Sequence, residues 1–141
     1  GQTEDSLSFH CLYFDDGEYR IKAVVSDIIS RPAETAMTNS KVSDPFIIDN
    51  SPPVIIQLKT DDPRLIILNV KDALSTIVRL DYQVDFKEWQ SAIPVDEIFD
   101  SKDEQIKLEF DDLKSGEHVI LIRAVDEQGN AQYIRKRLNL K

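Results

Sequence analysis

Apolar and polar residues alternate along much of the chain, and that alternation predicts strands. Residues 79–86 read R-L-D-Y-Q-V-D-F, with Leu80, Tyr82, Val84 and Phe86 on one face and charged or amide groups on the other. Residues 105–110 place Ile106, Leu108 and Phe110 in the same way. A period of two sustained over such a run marks half-buried strands of antiparallel sheets. Segments 17–25, 65–70, 118–125 and 133–140 are rich in Val, Ile, Leu and Tyr and also favour strand. The run 119–122 is apolar on both faces, which fits a central strand. No segment keeps a capped helical period, and the best helix candidate is the short stretch 32–38.

One break interrupts the pattern. Asp49, Asn50 and Ser51 are turn formers, and Pro52 and Pro53 cannot continue a ladder. The stretch reads as an interdomain linker, dividing the chain into 1–51 and 52–141. An internal repeat supports the division. Residues 14–27 read F-D-D-G-E-Y-R-I-K-A-V-V-S-D, and residues 113–126 read L-K-S-G-E-H-V-I-L-I-R-A-V-D. Aligning Gly17 with Gly116 matches Glu18 to Glu117, Tyr19 to His118, Ile21 to Ile120 and Asp27 to Asp126, at an offset of 99 residues. That offset is about one immunoglobulin-like domain, and 1–51 is too short to form one alone. The expectation is the closing strands of one sandwich followed by a whole second one. The partner strands of 1–51 would then lie before Gly1 in a longer parent chain.

The repeated unit carries its own physical logic. An apolar residue (Phe14, Leu113) plugs the end of the core. A glycine (Gly17, Gly116) takes the positive φ of a tight turn, and an aromatic (Tyr19, His118) opens the strand. This resembles the turn into the penultimate strand of fibronectin type III and immunoglobulin-like domains. The resemblance implies a tyrosine-corner bond from Tyr19 to its own loop, and His118 departs from the pattern. Residues 124–130, A-V-D-E-Q-G-N, read as the hairpin joining the last two strands. Asp126 would bond the turn backbone, and Gly129 or Asn130 would take the left-handed conformation. Residues 80–89 and the stretch P-V-D-E-I-F-D-S at 94–101 extend the likeness. Together they resemble the immunoglobulin-like module that follows β-propellers in exported bacterial proteins. They are also similar to the three-tyrosine sandwich of hybrid two-component sensors.

Composition narrows the chemistry. The 141 residues carry a net charge of −9, which argues against nucleic acid and anionic membrane as partners. No apolar stretch is long enough to span a bilayer as a helix. Gly1 in place of Met suggests a processed or cloned fragment. One cysteine excludes an internal disulfide and a thiolate zinc cluster, and two histidines leave little for a His-based site. Cys11 and the adjacent His10 do not make a dyad, since strand neighbours point to opposite faces, and Cys11 reads as a half-buried strand residue. No Gly-rich phosphate loop or nucleophile elbow is present. Asp126, Glu127 and Asn130 form a candidate calcium loop, but the ion takes about 6–8 oxygens and this loop alone supplies fewer. No metal or cofactor is therefore expected. Trp89 is a core or lid residue on the plain reading and a stacking platform on the functional one. Asp96, Asp100, Asp103 and Glu104 read as a solvated acidic loop, with Asp96 and Asp100 joining Trp89 as a candidate binding surface.

The fold expected is an all-β antiparallel sandwich of the immunoglobulin-like or fibronectin III-like kind, with about seven strands after residue 53. The function expected is a non-catalytic structural or protein-interaction module of a larger extracytoplasmic protein. Its partners would be another protein or neighbouring domains, or a second copy through 1–51. The alternatives are a signal-coupling sandwich of a periplasmic sensor and a carbohydrate-binding accessory domain of a secreted enzyme.

Overall fold

The computed structural model describes residues 6–32 and 34–141. The chain is all-β, every strand pair is antiparallel, and a break between Ile48 and Asp49 separates two compact units. Among the described residues no helix is long and apolar enough to cross a membrane.

The first unit holds β1 (Gly17–Tyr19), β2 (Lys22–Ser26), β3 (Thr38–Val42) and β4 (Phe46–Ile48). β1 pairs with β4, and β2 pairs with β3. Its packing is aromatic. Phe14 sits edge-on to Phe9 at 5.3 Å and to Tyr19 at 5.9 Å, and Tyr19 stacks on Phe46 at 6.3 Å. Every residue of β2 and β3 is exposed. Cys11 lies in a short 3-10 turn, Cys11–Tyr13, and is exposed rather than half-buried in a strand. The helix expected over 32–38 is replaced by a turn, in which Thr35 N–H donates to the Pro32 carbonyl at 2.9 Å, and by the start of β3. Proline fixes its own φ and supplies no N–H, which suits a turn as well as a first helical residue.

The second unit holds β5 (Val54–Leu58), β6 (Leu65–Lys71), β7 (Ile77–Val84), β8 (Gln90–Ala92), β9 (Asp103–Glu109), β10 (Gly116–Asp126) and β11 (Ala131–Leu140). One sheet runs β11-β10-β7-β8 and the other β5-β6-β9. The inner faces meet in one core. Ile66, Leu68 and Val70 of β6 and Ile106 and Leu108 of β9 come from one sheet. Leu80 and Val84 of β7 and Ile120, Ile122 and Ala124 of β10 come from the other. Side chains alternate across a strand, so the period-two pattern of the sequence becomes the two faces of each sheet. This is an all-β sandwich compatible with an immunoglobulin-like domain.

Two segments depart from the pattern. Phe86 does not continue the face of Leu80 and Val84. Asp85 and Phe86 turn the chain at φ 49° and 59°, and Phe86 is exposed. The stretch read as a linker is tied into the second unit, with Asp49 and Pro53 buried. A proline suits this place because it lies just ahead of β5, where no ladder donor is needed.

Candidate functional site

The repeated turns form the same structure with different chemistry. Tyr19 Oη donates to the Asp15 carbonyl at 2.7 Å, four residues back. Ninety-nine residues on, His118 Nε2 lies 2.8 Å from the carbonyl of Lys114, also four residues back. Gly116, at φ 134°, opens β10 in a conformation that side-chain-bearing residues rarely take. Leu113 packs against the core of the second unit, as Phe14 packs on Tyr19 in the first. Arg64 Nη1 holds the second turn by donating to the carbonyls of Phe110, Asp111 and Leu113 at 3.0, 3.2 and 2.8 Å.

His118 also reaches across to the turn after β7. Its Nδ1 is 2.7 Å from Asp85 Oδ2, and Asp85 Oδ1 accepts the Val119 N–H at 2.9 Å. Both ring nitrogens therefore face acceptors, and with Asp85 ionised only the imidazolium satisfies both. The Asp85 hydrogen bond, then the Lys114 carbonyl, raises the His118 pKa above its usual value. The same bond, then the Val119 amide, lowers that of Asp85.

The two hairpins close with the same clasp. Asp126 N–H donates to the Asn130 carbonyl at 3.1 Å, and its Oδ1 accepts the N–H groups of Gln128 and Asn130, both at 2.9 Å. Gly129 completes that turn at φ 87°. Asp27 N–H donates to Met37 at 3.2 Å, and Asp27 Oδ1 accepts the Met37 N–H at 2.7 Å.

Asp126 belongs to a larger acidic group. Carboxylate oxygens of Asp49, Asp72 and Asp126 lie within 4.8 Å of one another, with Asp49 and Asp126 buried. Each already receives donors. Asp49 Oδ1 accepts the Ser51 N–H at 3.1 Å, and its Oδ2 accepts the Ser75 hydroxyl. Asp72 Oδ1 accepts the N–H groups of Leu74 and Ser75 at 2.9 and 2.7 Å. Asn130 Nδ2 donates to Asp126 Oδ2 at 2.8 Å and to the Asp49 carbonyl at 2.9 Å. The network ties three loops together, and its hard oxygens are the donor set that could hold a hard cation. Of the calcium loop read from Asp126, Glu127 and Asn130, Asp126 and Asn130 take part in this network and Glu127 stands exposed outside the acidic group.

Trp89 lies on the outer face of the four-stranded sheet. The Arg123 guanidinium sits 4.7 Å from its ring centroid. Arg123 also holds Asp81 Oδ2 through Nη2 at 2.6 Å and Nε at 3.1 Å. Arg79 Nε approaches the same oxygen at 3.1 Å, and Ser91 Oγ donates to Asp81 Oδ1 at 3.0 Å. Asp81 is buried beneath these groups, and Tyr133 stands opposite Arg123 across the ladder. The Asp81 hydrogen bond, then Tyr133, raises the pKa of Arg123. One face of the indole is thus occupied by a cation, an arrangement that helps to fix the ring.

The acidic stretch does not stay together. Glu104 is buried in β9 and accepts the N–H groups of Asp100 and Ser101 at 3.1 and 2.9 Å, while Asp103 pairs with Lys71 at 2.7 Å. Asp96 and Asp100 are exposed, and among the described residues no hydrogen bond or ring contact joins either to Trp89. No family model matches the chain, and no curated protein shows significant similarity to it.

Sequence reasoning did not pick out Asp49, Asp72, Asp81, Asp85 and Arg123 as site residues. A signal existed for Asp81, a carboxylate at an outward strand position two residues from Arg79. For Asp49 and Asp72 the signal was weaker, an Asx residue followed closely by a serine.

Proposed function

We propose that the chain is a non-catalytic structural or protein-interaction module of a larger extracytoplasmic bacterial protein. It is of the immunoglobulin-like or fibronectin type III-like kind found beside β-propellers. The repeat carries the reading: a three-over-four sandwich is preceded by a hairpin that repeats the corner and clasp of its own last two strands. Tandem sandwiches are the ordinary context for such a repeat. The buried carboxylates support a structural role, since Asp49, Asp81, Glu104 and Asp126 each bind loops or neighbouring strands of the second unit.

The test is made on the native protein. An antibody raised against this chain reads the intact mass on a blot, and protease added outside the cytoplasm tests its location. A mass far above the 16.1 kDa of this chain, with cleavage from outside, is the expected result. A band near that mass, confined to the cytoplasm, would overturn the reading.

A further inference from the structure

The two hairpins share a sequence frame and differ in what covers them. Ile21, Ala23 and Val25 correspond, 99 residues on, to Ile120, Ile122 and Ala124. Geometry fixes the frame at both ends. The Tyr19 and His118 corners set one end, and the Asp27 and Asp126 clasps set the other. No residue is gained or lost between them along this strand; the first copy breaks at Arg20 and Ile21, where its pairing register shifts by one residue and β10 runs on, and beyond the break Ala23 and Val25 share one face of β2 as Ile122 and Ala124 share one face of β10.

The surroundings are opposite. Ile120, Ile122 and Ala124 are each 0% exposed. β7 pairs along one edge of their strand and β11 along the other, and their side chains share a core with β6 and β9. Ile21 is 38% exposed and Val25 71%, and Ala23 is exposed as well. Among the described residues β2 pairs with β3 alone. An apolar row and a row of unpaired backbone groups thus lie open where the second copy has both satisfied.

We propose that the hairpin of β1 to β4 is the closing pair of a further sandwich. Its open edge and face are covered by a stretch of the same polypeptide on its N-terminal side, the counterpart of residues 54–115. This rests on the reading of the chain as a module of a larger protein. The occupant has a stated form. One of its strands runs antiparallel to β2, as β7 runs to β10, with apolar residues opposite Ile21, Ala23 and Val25. In the second copy those places are taken by Val84, Tyr82 and Leu80. Three further strands face them, as β5, β6 and β9 do. A second copy of the hairpin would satisfy the edge of β2 but would bring no facing sheet, so the apolar row favours the longer segment.

Hydrogen exchange read by mass spectrometry tests this on the native parent protein and on the 141-residue chain. The peptide spanning β2 is followed at two protein concentrations. The expected result is exchange slowed by about a hundredfold or more in the parent relative to the chain, independent of concentration. Fast exchange in both would overturn the proposal. Slow exchange in the 141-residue chain at every concentration would also overturn it, because this chain would then cover its own edge. Slowing of the chain at high concentration alone would identify a second copy as the occupant. A parent of high mass whose β2 exchanges fast would leave the module reading standing and sink this inference.

Discussion

The two copies of the repeat allow one substitution to be made at the same place in covered and open surroundings. Ile120→Ala removes a side chain from the central strand of a closed core, where Ile120 is 0% exposed. Such truncations cost about 2–5 kcal/mol, the transfer of the lost carbons plus the cavity left behind. Ile120 has β7 and β11 on its two flanks, so the site has little room to collapse, and the upper half of that range applies. With a urea m value of about 1.5 kcal/mol/M, a loss of about 4 kcal/mol moves the unfolding midpoint down by about 2–3 M. Trp89, fixed on Arg123 within the second unit, reports the transition by its fluorescence. Ile21→Ala removes the same atoms just ahead of β2, at 38% exposure. Part of the transfer term survives and the cavity term does not, leaving about 1 kcal/mol, read from exchange of the first unit's amides. Equal losses at the two positions would refute the reasoning, because Ile21 would then be as well covered in this chain as Ile120. A loss below about 1 kcal/mol for Ile120→Ala would refute the assignment of the core.

Three further outcomes follow from the sites. The His118 C2 proton should titrate above the ordinary histidine pKa in NMR, and His118→Gln should flatten the pH dependence of stability that the pair produces. The raised His118 contributes stability that is full below about pH 6.5 and lost as pH rises through its folded pKa, while the lowered Asp85 contributes stability lost as pH falls below about 3.8. A midpoint that stays level across both windows would count against the clamp. Asp126→Ala should cost about 1–3 kcal/mol in urea denaturation, because the N–H groups of Gln128 and Asn130 lose a buried acceptor; a change within 0.5 kcal/mol, about the size of a bland surface substitution, would show that water replaces the clasp. Trp89 emission should shift to the red in Arg123→Ala and stay unchanged across a panel of polysaccharides, and a saturable change with any of them would restore the carbohydrate-binding alternative.

How much of this was legible depends on which force shaped each segment. β7 and β9 could be read from alternation, and β6, β10 and β11 from their Val, Ile, Leu and Tyr, because each buries one row of side chains such as Ile66, Leu68 and Val70. β3 and β8 could not. Thr38–Val42 and Gln90–Ala92 bury little and exist through pairing to a neighbour, which leaves no hydrophobic signature. Phe86 misled for the opposite reason. It fits the alternation but sits in a turn set by φ 59°, and local backbone geometry overrode the pattern. The acidic stretch failed on burial. Glu104 lies among charged residues in sequence, yet its carboxylate is consumed by two backbone amides within the fold.

The histidine at position 118 shows what a motif preserves. Its replacement of tyrosine looks like the loss of the corner, because a phenol oxygen reaches farther than an imidazole nitrogen. The corner survives because its requirement is a donor placed on the carbonyl four residues back, and Nε2 meets it at 2.8 Å against 2.7 Å for Tyr19. The cost of the exchange appears elsewhere. A neutral imidazole donating through Nε2 presents a lone pair at Nδ1, and the partner there is the acceptor Asp85. With Asp85 ionised the ring satisfies both acceptors only when it carries a second proton, and the corner of the second unit becomes dependent on pH. The same substitution links the β7 turn to the start of β10, a connection that Tyr19, with its single oxygen already committed to Asp15, cannot make.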